Sequence, residues 1–239
     1  MEKRFTRSEW FSLASFLLAL ISFVTYSVTG ITAWLLVSIV LAVAFIALLI
    51  LVLKYLRLPA WTVIGRDFLV QIDDKDANRA TWRMKHEIRA NHAGNKHYEF
   101  RNISSDGSLT GFSESPETRI INTIVEAGDY NVTIKFDHQI LRGTTVSPWL
   151  DISCDKAYPE DREFLIALVD EHSKYLRLKV QFPEDRLPHP GTVKMHLLSS
   201  GTELELFPAP TCEGSEIAWS INKKWGRLIP GEYRISWHW

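Results

Sequence analysis

Cysteine is nearly absent: Cys154 and Cys212 are the only two in 239 residues. They lack the C-x-x-C spacing of a metal knuckle or redox pair, so a disulfide or zinc scaffold is excluded and two buried thiols are expected. Excess charge of either sign is missing too, with 27 Lys+Arg against 28 Asp+Glu. That balance argues against DNA binding, and 46% hydrophobic and 12% aromatic content argues against disorder. Catalytic signatures are also lacking: there is no HExxH, no GxSxG, no GxxxxGK[ST] and no GxGxxG opening a helix. The chain therefore reads as non-enzymatic and free of cofactor. His86, His92 and His97 are spaced by six and five residues, a pattern that matches no familiar ligand set, so no metal is expected.

What the chain does have is uncharged apolar sequence. "WFSLASFLLALISFVTYSV" runs from Trp10 to Val28 and "ITAWLLVSIVLAVAFIALLILVL" from Ile31 to Leu53, joined by a turn around Gly30. A bilayer core about 30 Å thick takes roughly 20 apolar helical residues, so residues 1–57 are expected to form a two-helix transmembrane hairpin, with spans at about 10–28 and 31–53. Lys3, Arg4, Arg7, Lys54 and Arg57 flank the spans, and the turn carries no charge. The positive-inside rule then places both termini, and the whole soluble domain, in the cytoplasm, with the lipid bilayer as first partner.

Beyond Leu58-Pro59 the period changes to two and no amphipathic helix of three turns is found. Residues 58–239 are expected to be a mildly acidic, cytosolic all-β domain of nine to twelve strands, either a β-barrel or a β-sandwich, with two tandem sandwiches split near 146–161 as the alternative. Alternation is clear in 80–90, 130–136, 176–182, 193–197, 216–221 and 233–239. "FLIALV" at 164–169 is continuously apolar and reads as a strand buried on both faces. Pro188-His189-Pro190-Gly191, Glu213-Gly214 and Pro230-Gly231 supply turns.

"RATWRMKHEIRAN" carries the candidate site. Trp82, Met84 and Ile88 share one parity and point to the core, while Arg79, Arg83, Lys85 and Arg89 form a cationic row on the other. With Lys96 and Arg101 from the following strand, and with Trp82 and Tyr98 as stacking surfaces, this set could hold a nucleotide or another anion. Water and inner-leaflet lipid are the competing partners for the same row, and an edge strand bears Lys and Arg for protection.

A membrane hairpin followed by a β-rich domain, with the closing run "IAWSINKKWGRLIPGEYRISWHW", resembles the two-transmembrane, β-strand-rich effectors of bacterial antiphage signalling. The resemblance is one of architecture. It implies an antiviral-defence effector whose β domain binds a cyclic nucleotide made by a partner nucleotidyltransferase. It also implies that the protein forms a homo-oligomer and that its membrane segments disrupt the inner membrane by pore formation. It assigns no residue. The alternative is a membrane-tethered β-sandwich interaction module that binds a protein or lipid, with the hairpin as anchor only.

Overall fold

The computed structural model describes residues 31–56, 59–105, 107–169, 173–223 and 226–239, together with Ser15, Phe16 and Ala19. The chain divides into two compact units, Met1–Leu58 and Pro59–Trp239.

In the first unit, Ile31–Leu56 forms helix α1, a run rich in Leu, Ala and Val that no glycine or proline interrupts. Among the described residues, however, no helix is long and apolar enough to cross a membrane. The other expected span, Trp10–Val28, lies almost wholly outside the described residues. The expected two-helix transmembrane hairpin is corrected on this ground, and so is the two-span placement in a bacterial inner membrane with cytoplasmic termini.

The second unit is all-β, as its period predicts. Its largest sheet has the order β13-β14-β10-β1-β2-β8-β4, with β7 paired to β2. The strands are β1 (Trp61–Ile72), β2 (Arg79–Ala90), β4 (Ser108–Glu114), β7 (Thr145–Val146), β8 (Trp149–Asp155), β10 (Tyr175–Gln181), β13 (Thr211–Glu213) and β14 (Glu216–Asn222). All pairings in it are antiparallel except β1 with β10. A second sheet has the order β12-β11-β15-β9, from β9 (Arg162–Val169), β11 (Lys194–Ser199), β12 (Thr202–Glu205) and β15 (Gly231–His238). The third is β3-β6-β5, from β3 (Asn95–Ile103), β5 (Thr118–Glu126) and β6 (Asp129–Ile140).

Two expectations change here. The tandem split near 146–161 does not occur, because the largest sheet joins strands from both sides of it: β1 pairs with β10, and Pro59–Trp239 is one compact unit. "FLIALV" is buried on one face only. Leu165, Ala167 and Val169 point inward, while Phe164 and Leu168 are exposed on what is an edge strand.

One contiguous core joins the three sheets. Trp219 on β14 meets Tyr233 on β15 with ring centroids 6.0 Å apart, and Phe182 meets Trp237 at 5.5 Å, so the first and second sheets pack face to face. Trp61 on β1 meets Phe136 on β6 at 5.5 Å, which ties in the third sheet. Cys154 is buried as expected, but Cys212 is exposed.

Candidate functional site

The cationic row of β2 does face outward, yet β2 is an interior strand, paired on one side with β1 and on the other with β8. Register therefore decides what each cation meets. Arg83 stands opposite Asp151 and binds it through two hydrogen bonds, Nε to Oδ1 and Nη2 to Oδ2, each 2.7 Å long, with its guanidinium 4.4 Å from the Trp149 ring. Hydrogen bonding to Asp151 holds the Arg83 pKa above the ordinary value, against the smaller effect of burial. Lys85 stands opposite Asp67, which also faces Arg177 on β10. Burial raises the Asp67 pKa, opposed by Arg177 and Lys85. Arg79 pairs with Asp74 at 3.3 Å, and Arg101 pairs with Glu99 on its own strand. Half-exposed pairs of this kind are worth about 0–1 kcal/mol each. Their larger effect is to turn a cationic row into an alternating, solvated lattice of charges.

The opposite face of the same two strands is different. A bulge between Val63 and Gly65 switches the inward parity of β1 from odd to even. Trp61 and Val63 pack against the core before it, and Phe68, Val70 and Ile72 are buried after it. Arg66 is thereby turned inward, directly opposite His86. Its Nη1 reaches across to donate to the Leu168 carbonyl on β9. His86 is 4% exposed and sits among aromatic rings, 4.9 Å from Phe100, 5.9 Å from Tyr98 and 6.1 Å from Phe68. Its Nδ1 lies 2.7 Å from the Tyr98 hydroxyl. Burial, and then the Arg66 charge, hold its pKa well below the ordinary histidine value, so the ring is neutral at physiological pH. Among the described residues neither His86 Nε2 nor the buried Trp82 Nε1 has a hydrogen-bond partner. An unsatisfied buried donor or acceptor costs about 1–3 kcal/mol, so two on one face call for an explanation.

Both atoms belong to residues that line a cavity of about 1130 Å³. Its floor is the inner face of β1 and β2, and its walls are β9 from the second sheet and β3 from the third. Of the eight residues expected from sequence, Trp82, Arg83, Tyr98 and Arg101 contribute to the lining, while Arg79, Lys85, Arg89 and Lys96 do not. Sequence reasoning passed over Arg66 as a site residue and considered His86 only as a metal ligand. The signal was nevertheless present in "IGRDFLV", where an arginine shares the parity of Phe68 and Val70. Among the described residues no group of His, Cys, Asp and Glu is placed to hold a metal ion.

No protein-family model and no curated protein matches the chain. Among solved structures, a two-domain M1 zinc metallopeptidase bound to L-tryptophan is similar at 8% identity and a TM-score of 0.41, over 74% of this chain and 43% of that one. An M1 zinc metallopeptidase from Deinococcus radiodurans bound to a Tyr-Ser-Ala substrate is similar at 9% identity and a TM-score of 0.40, over 74% and 42%. The chain thus spans less than half the length of these structures, and at this level of likeness nothing of their chemistry transfers.

Proposed function

We propose that residues 59–239 form a binding module that senses a small ligand in the cavity between the three sheets. One observation carries this: a cavity of about 1130 Å³ lined by His86, 4% exposed and with its Nε2 unpartnered among the described residues. Ligand sites are concave and combine apolar surface with fixed polar groups, and this cavity is lined by both, with Phe68, Val70 and Met84 beside Arg66, His86 and Glu163. The reading keeps the sensing half of the effector expected from sequence. It leaves out the membrane-disrupting half, which needs two spans.

The test is ligand-detected NMR on the full chain with a set of neutral and charged fragments, repeated on His86→Phe. That variant keeps much of the ring volume and drops both nitrogens, and circular dichroism checks its fold. Fragments that bind the wild type and weaken at least tenfold in the variant support the proposal. Binding that is equal in both proteins, or absent from both, refutes it.

A further inference from the structure

The wall that β9 gives the cavity is the rim of a strand. Glu163, Phe164, Leu165 and Ile166 line it in succession, and Leu168 and Val169 follow, so residues of both parities border the space. A strand shows both parities only along its edge. β9 ends its sheet, with β15 as its single strand neighbour. The Trp239 N–H, just beyond β15, donates to the Asp161 carbonyl, which turns the odd positions of β9 towards β15. The even positions, Arg162, Phe164, Ile166 and Leu168, therefore turn their N–H and C=O groups away from that ladder. Arg66 on β1 reaches the Leu168 carbonyl from that side, and the Glu163 carboxylate accepts from the Glu160 N–H. Side chains thus cap the two ends of the rim, while its middle, at Phe164 and Ile166, belongs to no ladder.

Edge strands are ordinarily defended by short length, lysine, proline, charge or a bulge. The other edge of this sheet, β12, is four residues long and carries Glu203 and Glu205. β9 has eight residues, "REFLIALV", without lysine or proline, and meets β15 with no shift of register. Its Phe164 and Leu168 are 41% and 37% exposed. Across the cavity β3 also ends its sheet, and its His97 carbonyl accepts from Trp61 Nε1 at 2.6 Å. A second copy would bring its own β3 wall along with its β9, so a single extended segment fits this recess better. The floor beneath is apolar, with Phe68 opposite Met84 and Val70 opposite Trp82. Charges of the lining answer one another: Arg83 is held by Asp151, Arg101 by Glu99, and Glu232 lies 4.0 Å from Arg234. Asp129 stands at the β5–β6 turn, opposite Glu126. An uncharged segment suits such a lining.

We infer that the ligand is a short extended peptide that joins the four-stranded second sheet along β9, bonding to the N–H and C=O groups of Phe164 and Ile166, with an apolar residue at every second position over Phe68 and Met84. This names the ligand class of the cavity and rests on its being a ligand site, as proposed above.

A displayed library of heptapeptides with apolar residues at alternate positions, panned on the full chain and followed by isothermal titration calorimetry, tests it. The library is expected to yield binders that weaken at least tenfold when the amides of alternate residues are N-methylated in at least one of the two phases. Ile166→Pro removes one rim donor and spares the β15 ladder, because that N–H lies outside it. It is expected to weaken the same peptides at least tenfold, with circular dichroism checking the fold. Glu205→Pro, on the rim of β12, is expected to change nothing. The N-methyl comparison uses the wild type and stands even where Ile166→Pro fails to fold. Peptides indifferent to N-methylation in both phases, or to Ile166→Pro in a folded protein, overturn the inference. A library that yields no binder also overturns it, and the fragment screen then decides separately whether the cavity binds anything.

Discussion

Adding one methyl group at Gly65 should unsettle the middle of the largest sheet. Gly65 stands opposite Tyr175 on β10 and Glu87 on β2, and the tyrosine ring lies over it. A Cβ built there would sit 2.0 Å from Tyr175 Cε1, 2.2 Å from Cζ and 2.3 Å from Cδ1, so the ring has to swing away. Its hydroxyl, which donates to Glu87 Oε2 at 2.8 Å, goes with it. A hydrogen bond to an ionised acceptor is worth about 1.5–3 kcal/mol, and the partial exposure of this one places it in the lower half of that range. Against the loss stands a gain of about 0.4–1 kcal/mol from a stiffer unfolded chain. Gly65→Ala should therefore destabilise the protein by about 0.5–2 kcal/mol, or lower Tm by about 1–8 °C in a domain of this size. Urea denaturation followed by tryptophan fluorescence measures the loss. Tyr175→Phe keeps the ring and drops the hydroxyl, so the double variant should fall short of additivity by about 1 kcal/mol. A Gly65→Ala protein as stable as the wild type would refute the reasoning.

Other outcomes follow from the same geometry. The buried His86 ring resists protonation, whereas an unfolded histidine titrates near 6.5. The unfolded chain then binds more protons as pH falls below about 6.5, and stability should drop by up to about 1.4 kcal/mol per unit until the folded value is passed. Unfolding curves at pH 7.5 and 5.0 should show this extra slope in the wild type and not in His86→Phe; equal slopes in the two proteins count against it. Arg83→Met should lower stability by less than about 1 kcal/mol, and Arg83→Glu, which sets a carboxylate opposite Asp151, by more. The gap between those two variants should shrink in 1 M NaCl, with urea midpoints as the measure. Trp237 is fully buried, 5.4 Å from Tyr158 and 6.1 Å from Trp239, and its indole N–H has no partner among the described residues. Trp237→Ala should lower stability by about 3–5 kcal/mol and Trp237→Phe by clearly less, since the phenyl ring keeps most contacts and removes an unsatisfied donor.

The all-β character and the inward residues of β2, β6, β10 and β14 were legible because a half-buried strand writes its face into alternate positions. Met84 and Ile88 are buried, as their parity requires. The neighbours of β2 were not legible. Whether Arg83 faces water, lipid or an acid depends on β8 arriving beside it in register, and Asp151 is 68 residues away along the chain. Arg66 was hidden for another reason. The bulge after Val63 resets the parity of β1, so a single alternating template cannot place both Trp61 and Phe68 inside. "FLIALV" misled because an unbroken apolar run looks the same whether a second layer covers it or leaves Phe164 and Leu168 exposed. The two-span reading came from counting apolar residues along the sequence, and a helix long and apolar enough to cross a membrane is not found among the described residues.

The parallel pairing of β1 with β10 also sets a clock. Asp67 and Arg177, partners across that pair, are separated by 110 positions. At about 5–20 residues per second, a ribosome that has just released β1 needs roughly 5–20 s to deliver the strand that covers its second edge. For that interval β1 and β2 can exist only as an open hairpin with an exposed flank, the kind of edge on which unwanted pairing starts. Loop closure over such a distance makes this a slow-folding topology. The demand is one of timing: the second edge of β1 stays unpaired until β10 emerges.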